Sequence, residues 1–210
     1  MYPDRKQTRP DNREGVKLRI EKDYLTINPY SRPGRKLSGL LGVVMHWTAN
    51  PRADAKANRN YFEARKDGRN GYGSAHYIVG TDGGIIQAIP ENEVAYHCGS
   101  SQPDPASGKL YTDEARGRFG PYASGNNSPN NCTIGIELCP TDSAGNFSDA
   151  TIEAAAELCA DICRRYVLPV NVITTHHNVV GWKNCPKLWT ERPYLFEAFK
   201  MTVADKIQRG

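Results

Sequence analysis

No apolar run in this 210-residue chain approaches the roughly 20 residues a membrane-spanning helix needs. An integral membrane segment is therefore not expected. The opening residues, Met1 to Gly15, carry charge throughout and have no apolar middle of the kind that defines a secretory signal. The expectation is that this form does not enter the export pathway by itself. No stretch repeats at a fixed period, which argues against a solenoid or a propeller. Neither the compact Cys and His spacings of zinc fingers nor a His-Glu-x-x-His helix is present. The dense Lys/Arg stripe of a nucleic-acid binder is also missing: net charge is only +4, so no nucleic-acid partner is expected.

What is present describes one ordinary folded domain. Hydrophobic residues make up 39% and charged residues 24%, which separates the chain from disordered sequences. A length of 210 residues buries a substantial core without requiring a second domain, and a monomer is the default. A pI near 8.7 favours an anionic surface as partner. Six cysteines sit at irregular spacings, and Cys159 and Cys163 fall one helical turn apart, where side chains run parallel. Reduced thiols are therefore expected, with Cys98 and Cys132 as the pair to watch in an oxidising compartment.

The first forty residues are polar and punctuated by Pro and Gly, and read as an arm laid over the domain. Leu40 to Met45 is a short apolar run, long enough for a buried strand and too short for a buried helix, and it places His46 at its end. Residues 53–66 contain neither Gly nor Pro and put Ala57, Tyr61 and Ala64 on one side, which predicts a helix. His76 to Val79 and Ile85 to Ile89 are β-rich runs joined through Asp82-Gly83, a tight-turn signal, and predict a hairpin. Residues 100–131 are rich in Gly, Pro, Ser and Asn, and read as an insertion, a long surface loop or a small excursion. Strand character returns at Thr133 to Leu138, interrupted only by Glu137.

Ser148 is placed to cap a helix running to Tyr166, with Ile152, Ala155, Cys159, Ile162, Cys163 and Tyr166 at core-facing intervals. Val170 to Thr174 predicts another strand, and Arg192 to Ile207 a final helix. Strands and helices mingle without a repeated βαβ period. The fold class is therefore mixed α/β, a central mixed β-sheet flanked by helices, with an arm over 1–40 and one domain over 41–210.

Five histidines, at 46, 76, 97, 176 and 177, together with Cys185 nine residues beyond His176, bring zinc into view. Imidazole nitrogen and thiolate sulfur both suit its borderline softness, and three protein ligands leave a fourth tetrahedral position for water, as catalytic sites do. Any single histidine is more often a hydrogen-bonded core residue, so spacing alone leaves the matter open.

Five segments taken together are more specific: Val43-Val44-Met45-His46-Trp47-Thr48-Ala49-Asn50, Gly73 to Val79, Ala95-Tyr96-His97-Cys98-Gly99, Thr133 to Leu138, and His176-His177-Asn178-Val179 through Lys183-Asn184-Cys185-Pro186. In this order they resemble the type 2 N-acetylmuramoyl-L-alanine amidases, a family that includes phage lysozyme-type amidases and peptidoglycan recognition proteins. The resemblance runs from about Leu41 to Pro186 and implies that family's single-domain fold.

It also implies roles. His46, His176 and Cys185 would hold one Zn²⁺ per chain, Glu137 would be the general base and acid, and Lys183 would stabilise the developing oxyanion. His177 is the alternative second ligand if the count runs back from Cys185, and choosing His176 places an extra residue, Trp182, in the loop. Trp182, Trp47 and His97 would line the substrate groove, and His76 would belong to the scaffold. Ala75 stands where some relatives place a catalytic tyrosine, which shifts the burden to Glu137. The implied substrate is peptidoglycan, cut between N-acetylmuramic acid and L-alanine. The implied setting is that of a phage or prophage endolysin held in the host cytoplasm until release, its basic surface suited to teichoic acids and wall carboxylates. A module that binds muropeptide without cleaving it, and an intracellular recycling amidase, are the alternatives.

Overall fold

The computed structural model describes residues 18–209. In chain order the elements are β1 (Ile20–Lys22), β2 (Gly42–Trp47), α1 (Ala55–Ala64), β3 (Tyr77–Val79), β4 (Ile85–Gln87), α2 (Asp113–Phe119), β5 (Thr133–Leu138), α3 (Asp149–Tyr166), β6 (Ile173–Thr175), α4 (His176–Val180), α5 (Lys187–Glu191) and α6 (Pro193–Arg209). The strands form one six-stranded sheet in the order β1-β4-β3-β5-β2-β6. Only the β3–β4 hairpin is antiparallel; the other pairs are parallel. This is the mixed sheet with flanking helices that the sequence predicts. Among the described residues, no helix is long and apolar enough to cross a membrane.

Alternation along the strands gives the sheet two different faces. Val43 and Met45 of β2, Ile134, Ile136 and Leu138 of β5, Tyr77 and Val79 of β3 and Ile173 of β6 point one way. There they meet Ala155, Leu158, Cys159 and Ile162 of α3 and Phe196, Phe199 and Val203 of α6 in the main core. Each such side chain, fully removed from water, contributes about 1.5–3 kcal/mol. The opposite face carries Val44, His46, Gly135 and Glu137, whose register pairs Val44 with Gly135 and His46 with Glu137. Two smaller apolar clusters cover it. One lies under α1, with Phe62, Ile78, Ile86 and Ile89, and the other under α2 and α4, with Val44, Phe119, Val179 and Val180. The polar side chains of β2 and β5 emerge between these two clusters.

Several local expectations are corrected. Residues 1–17 of the expected arm lie outside the described residues, while Ile20–Lys22 joins the sheet as a parallel edge strand beside β4. Leu18 and Ile20 pack on the main core, an alternation concealed by charged neighbours. In α1 the buried side chains are Ala55, Asn58 and Phe62, and Tyr61 is exposed. Both sets have helical spacing, and the larger apolar ring of Phe62 selects the face. Residues 100–131 are not a plain loop but contain α2, capped by the Thr112 hydroxyl, which accepts from Ala115 N–H at 3.1 Å. At seven residues, with Gly117 inside it, α2 is too short to show a period. Ser148 caps α3 as expected, accepting from Thr151 N–H at 3.0 Å. Tyr166, predicted for the core, is instead exposed. The strand expected from Val170 begins at Ile173, after a 3-10 turn. All six cysteines are free and buried, Cys98 and Cys132 included.

Candidate active site

His46 is the fifth residue of β2, and strand alternation sends its ring to the face opposite α3 and α6. Glu137 stands directly across from it on β5. The neighbouring strand β6 ends at Thr175, whose hydroxyl accepts from Asn178 N–H at 3.1 Å and caps α4. That cap fixes His176 as the first helical residue, buried at 3% exposure. His177 N–H donates to Cys185 O at 2.8 Å, and His177 Nδ1 sits 3.0 Å from Lys183 O. Both contacts fold the loop of residues 181–185 back over α4 and swing Cys185 under His46.

Ligand atoms of His46, His176 and Cys185, all buried, consequently lie within 4.8 Å of one another. The His46 and His176 rings meet edge to face with centroids 4.7 Å apart. His177 is not in this cluster; its ring is tied to the loop. Within the cluster both His176 ring nitrogens are buried with no hydrogen-bond partner, as is Glu137 Oε2. Buried polar atoms rarely go unpaired, and two imidazoles and a thiol converging around unpaired nitrogens fit a zinc ion.

The electrostatics agree with that chemistry. Burial, helped by the neighbouring His176, His97 and Lys183 charges, holds His46 well below the usual imidazole range. Burial lowers His176 to about 3, so both rings are neutral, as metal ligation requires. Burial raises the Cys185 thiol to about 12, opposed by the Trp47 backbone N–H and the Lys183 charge. Burial raises Glu137 to about 7, with Lys183 pulling against it. A carboxyl poised there is matched to taking and returning a proton near neutrality.

The remaining predicted residues fall in different places. Lys183 is exposed, its Nζ 5.9 Å from the Trp182 ring centroid, and its charge reaches His46, His176 and Glu137. Trp182 is half-buried and its indole N–H donates to Ser100 Oγ at 2.9 Å. Trp47 pairs with Leu138 on the other face of the sheet and lies against Gly145, so its backbone reaches the site while its ring does not. His97 stands edge to face with His46, ring centroids 5.2 Å apart. It is buried at 8% exposure, with Nδ1 3.1 Å from His46 Nε2. His76 is scaffold: Nδ1 accepts from Gly135 N–H at 3.0 Å and Nε2 donates to Glu93 O at 2.9 Å. Ala75 is buried in the cluster under α1.

Sequence reasoning missed Gly135. A Cβ there would lie 2.7 Å from His97 Nδ1 and 2.8 Å from Cδ2, so the strand can carry only glycine beneath that ring. The signal was available, since an isolated glycine in a strand marks close approach.

A family model described as N-acetylmuramoyl-L-alanine amidase matches residues 38–188, a span holding His46, Glu137, His176, Lys183 and Cys185. The chain belongs to this family. N-acetylmuramoyl-L-alanine amidase CwlL of Bacillus licheniformis is 34% identical over 187 residues, 89% of this chain and 47% of that protein. N-acetylmuramoyl-L-alanine amidase BlyA of Bacillus subtilis is 35% identical over 185 residues, 88% of this chain and 46% of that protein. The chain thus spans about half the length of the curated relatives it matches. The fold is shared with a solved mutant endolysin from Bacillus subtilis, at TM-score 0.62 and 21% identity over 89% of this chain and 99% of that one. It is shared equally with the PlyG catalytic domain, at TM-score 0.64 and 21% identity over 90% and 94%.

Proposed function

We propose that this protein is a zinc-dependent N-acetylmuramoyl-L-alanine amidase that hydrolyses the amide joining the lactyl group of N-acetylmuramic acid to L-alanine of the stem peptide. The observation that carries the reading is the convergence of His46, His176 and Cys185 within 4.8 Å beside the unpartnered carboxylate of Glu137. Family membership supplies the substrate class.

His46, His176 and Cys185 would hold one zinc ion. The chemistry such an ion supplies when bound is Lewis acidity, which polarises an amide carbonyl and makes water a nucleophile at neutral pH. Glu137, across the sheet from His46, accepts the proton of the attacking water and later delivers it to the departing L-alanine nitrogen. The Lys183 ammonium offsets the negative charge that grows on the lactyl carbonyl oxygen. Its exposed position beside the cluster supports that role.

An endolysin setting is the biological form of this proposal. It is supported by the shared fold with a Bacillus subtilis endolysin and by a basic pI near 8.7 that suits an anionic wall. The deciding assay digests purified peptidoglycan and scores new N-terminal alanine against new reducing ends, with zinc-replete, chelated and Cys185→Ala samples side by side. Alanine termini that vanish on chelation and in the variant are expected. Intact walls with retained binding would make this a recognition module. Activity confined to soluble anhydro-muropeptides would make it a recycling enzyme.

A further inference from the structure

His97 does something the amidase reading does not assign to it. Four groups form a buried line of hydrogen bonds. His46 Nε2 lies 3.1 Å from His97 Nδ1. His97 Nε2 lies 3.2 Å from Thr133 Oγ1 and 3.4 Å from Thr133 O. Thr133 Oγ1 lies 2.7 Å from Pro129 O. The direction of every bond follows by elimination from its far end. A carbonyl oxygen only accepts, so the single hydroxyl proton of Thr133 is donated to Pro129 O. That hydroxyl and the Thr133 carbonyl then both face His97 Nε2 as acceptors, so Nε2 carries the ring proton. In a neutral ring Nδ1 is then the acceptor, and His46 Nε2 must be the donor. The lone pair of His46 is left on Nδ1, the nitrogen that faces Cys185 Sγ at 3.7 Å.

We infer that His97 is a positioning residue, which fixes the tautomer and orientation of His46 so that Nδ1 is presented to the metal. Ligating histidines ordinarily give their second N–H to a carboxylate or carbonyl; here a second histidine serves, and passes the polarisation on to Thr133 and Pro129. The surroundings are built for it. His97 and Cys98 N–H both donate to Asn130 Oδ1, at 3.0 and 2.8 Å, which locks the backbone carrying the ring. Gly135 leaves the space the ring fills. Pro129 and Asn130 close the segment of residues 100–131, so the far end of that insertion anchors a metal ligand's partner.

This inference rests on His46 being a ligand, and its tests read metal and protons rather than turnover. His97→Leu removes the acceptor while His97→Asn, of the same shape, keeps an oxygen close to the Nδ1 position. Zinc affinity, measured by competition with a chromophoric chelator, should fall about 10- to 100-fold in His97→Leu, with most of the loss restored in His97→Asn. Equal affinity in His97→Leu and wild type overturns the inference. Should His97→Leu fail to fold, the wild type decides. Long-range 1H–15N spectra of the chelated protein should show His46 protonated at Nε2 only and His97 at Nε2 only. A proton on His46 Nδ1, or on His97 Nδ1, overturns the relay. Failure of wild-type protein to bind zinc would reject the amidase reading while leaving the two tautomers to be read as before.

Discussion

Cys185 Sγ lies 3.7 Å from His46 Nδ1, and burial has pushed that thiol up to about 12 while leaving the histidine neutral. Metal binding must therefore displace a proton from sulfur and none from imidazole. Zinc affinity should rise about tenfold per pH unit between roughly pH 7.5 and 9, one proton being released by Cys185. Below about 7 the slope should steepen, because Glu137, raised to about 7 by burial, also ionises beside a dication. Calorimetry in buffers of different ionisation enthalpy counts the protons directly. A flat affinity from pH 7 to 9 would exclude Cys185 as a thiolate ligand.

Glu137 is costly to fold. Its Oε2 is buried without a partner, and its raised pKa means that stability declines as pH climbs from the unfolded value, near 4.5, through about 7. Glu137→Gln should lower turnover by roughly 10²–10⁴-fold. In chelated protein the same variant should melt higher than wild type at pH 8, by a margin that closes at pH 5. A variant equally active, or less stable than wild type at pH 8, would remove Glu137 from the proposed role.

Much of this fold is legible because the local signals are strong. β2 and β5 are short apolar runs with one polar interruption each, His46 and Glu137, and the hairpin turns on Asp82-Gly83. The cap at Ser148 announces α3. The rest depends on contacts distant in sequence. α4 is only five residues long and exists because Thr175 caps it and residues 181–185 fold back on it. Nothing local separates His176 from His177; burial does. His97 and His46 are 51 positions apart, and their contact becomes visible only when β5 brings Gly135 beneath one ring. Trp47 shows the limit of adjacency, since the residue next to a ligand on a strand faces the other way.

Gly135→Ala tests that packing directly. The added methyl would lie 2.7 Å from His97 Nδ1, and overpacking of this kind costs typically about 1–3 kcal/mol. A chain of this size should lose about 2–4 °C in Tm for each kcal/mol. Combining it with His97→Ala removes the clash, so the double variant should lose less than the sum of the two single losses. Strict additivity in that cycle would mean that the ring and the strand do not compete for this space.

Glu91 provides a pH test remote from the site. Its carboxylate accepts both terminal nitrogens of Arg165 at 2.7 Å, Tyr77 OH at 2.7 Å and Tyr166 OH at 3.0 Å, joining the C-terminal end of α3 to the segment after β4. Burial raises its pKa, but the Arg165 and Tyr77 hydrogen bonds outweigh that and hold it below the usual carboxylate value. A depressed acid contributes stability that is complete above its unfolded pKa, near 4.5, and disappears as pH falls through the folded value. Arg165 is partly exposed, which weakens the pair by solvent screening, so Glu91→Gln should cost about 1–2 kcal/mol at pH 7. The penalty, read from the denaturant midpoints, should shrink steadily as pH is lowered below about 4.5. A penalty of equal size across that range would show that shape, not charge, makes Glu91 useful there.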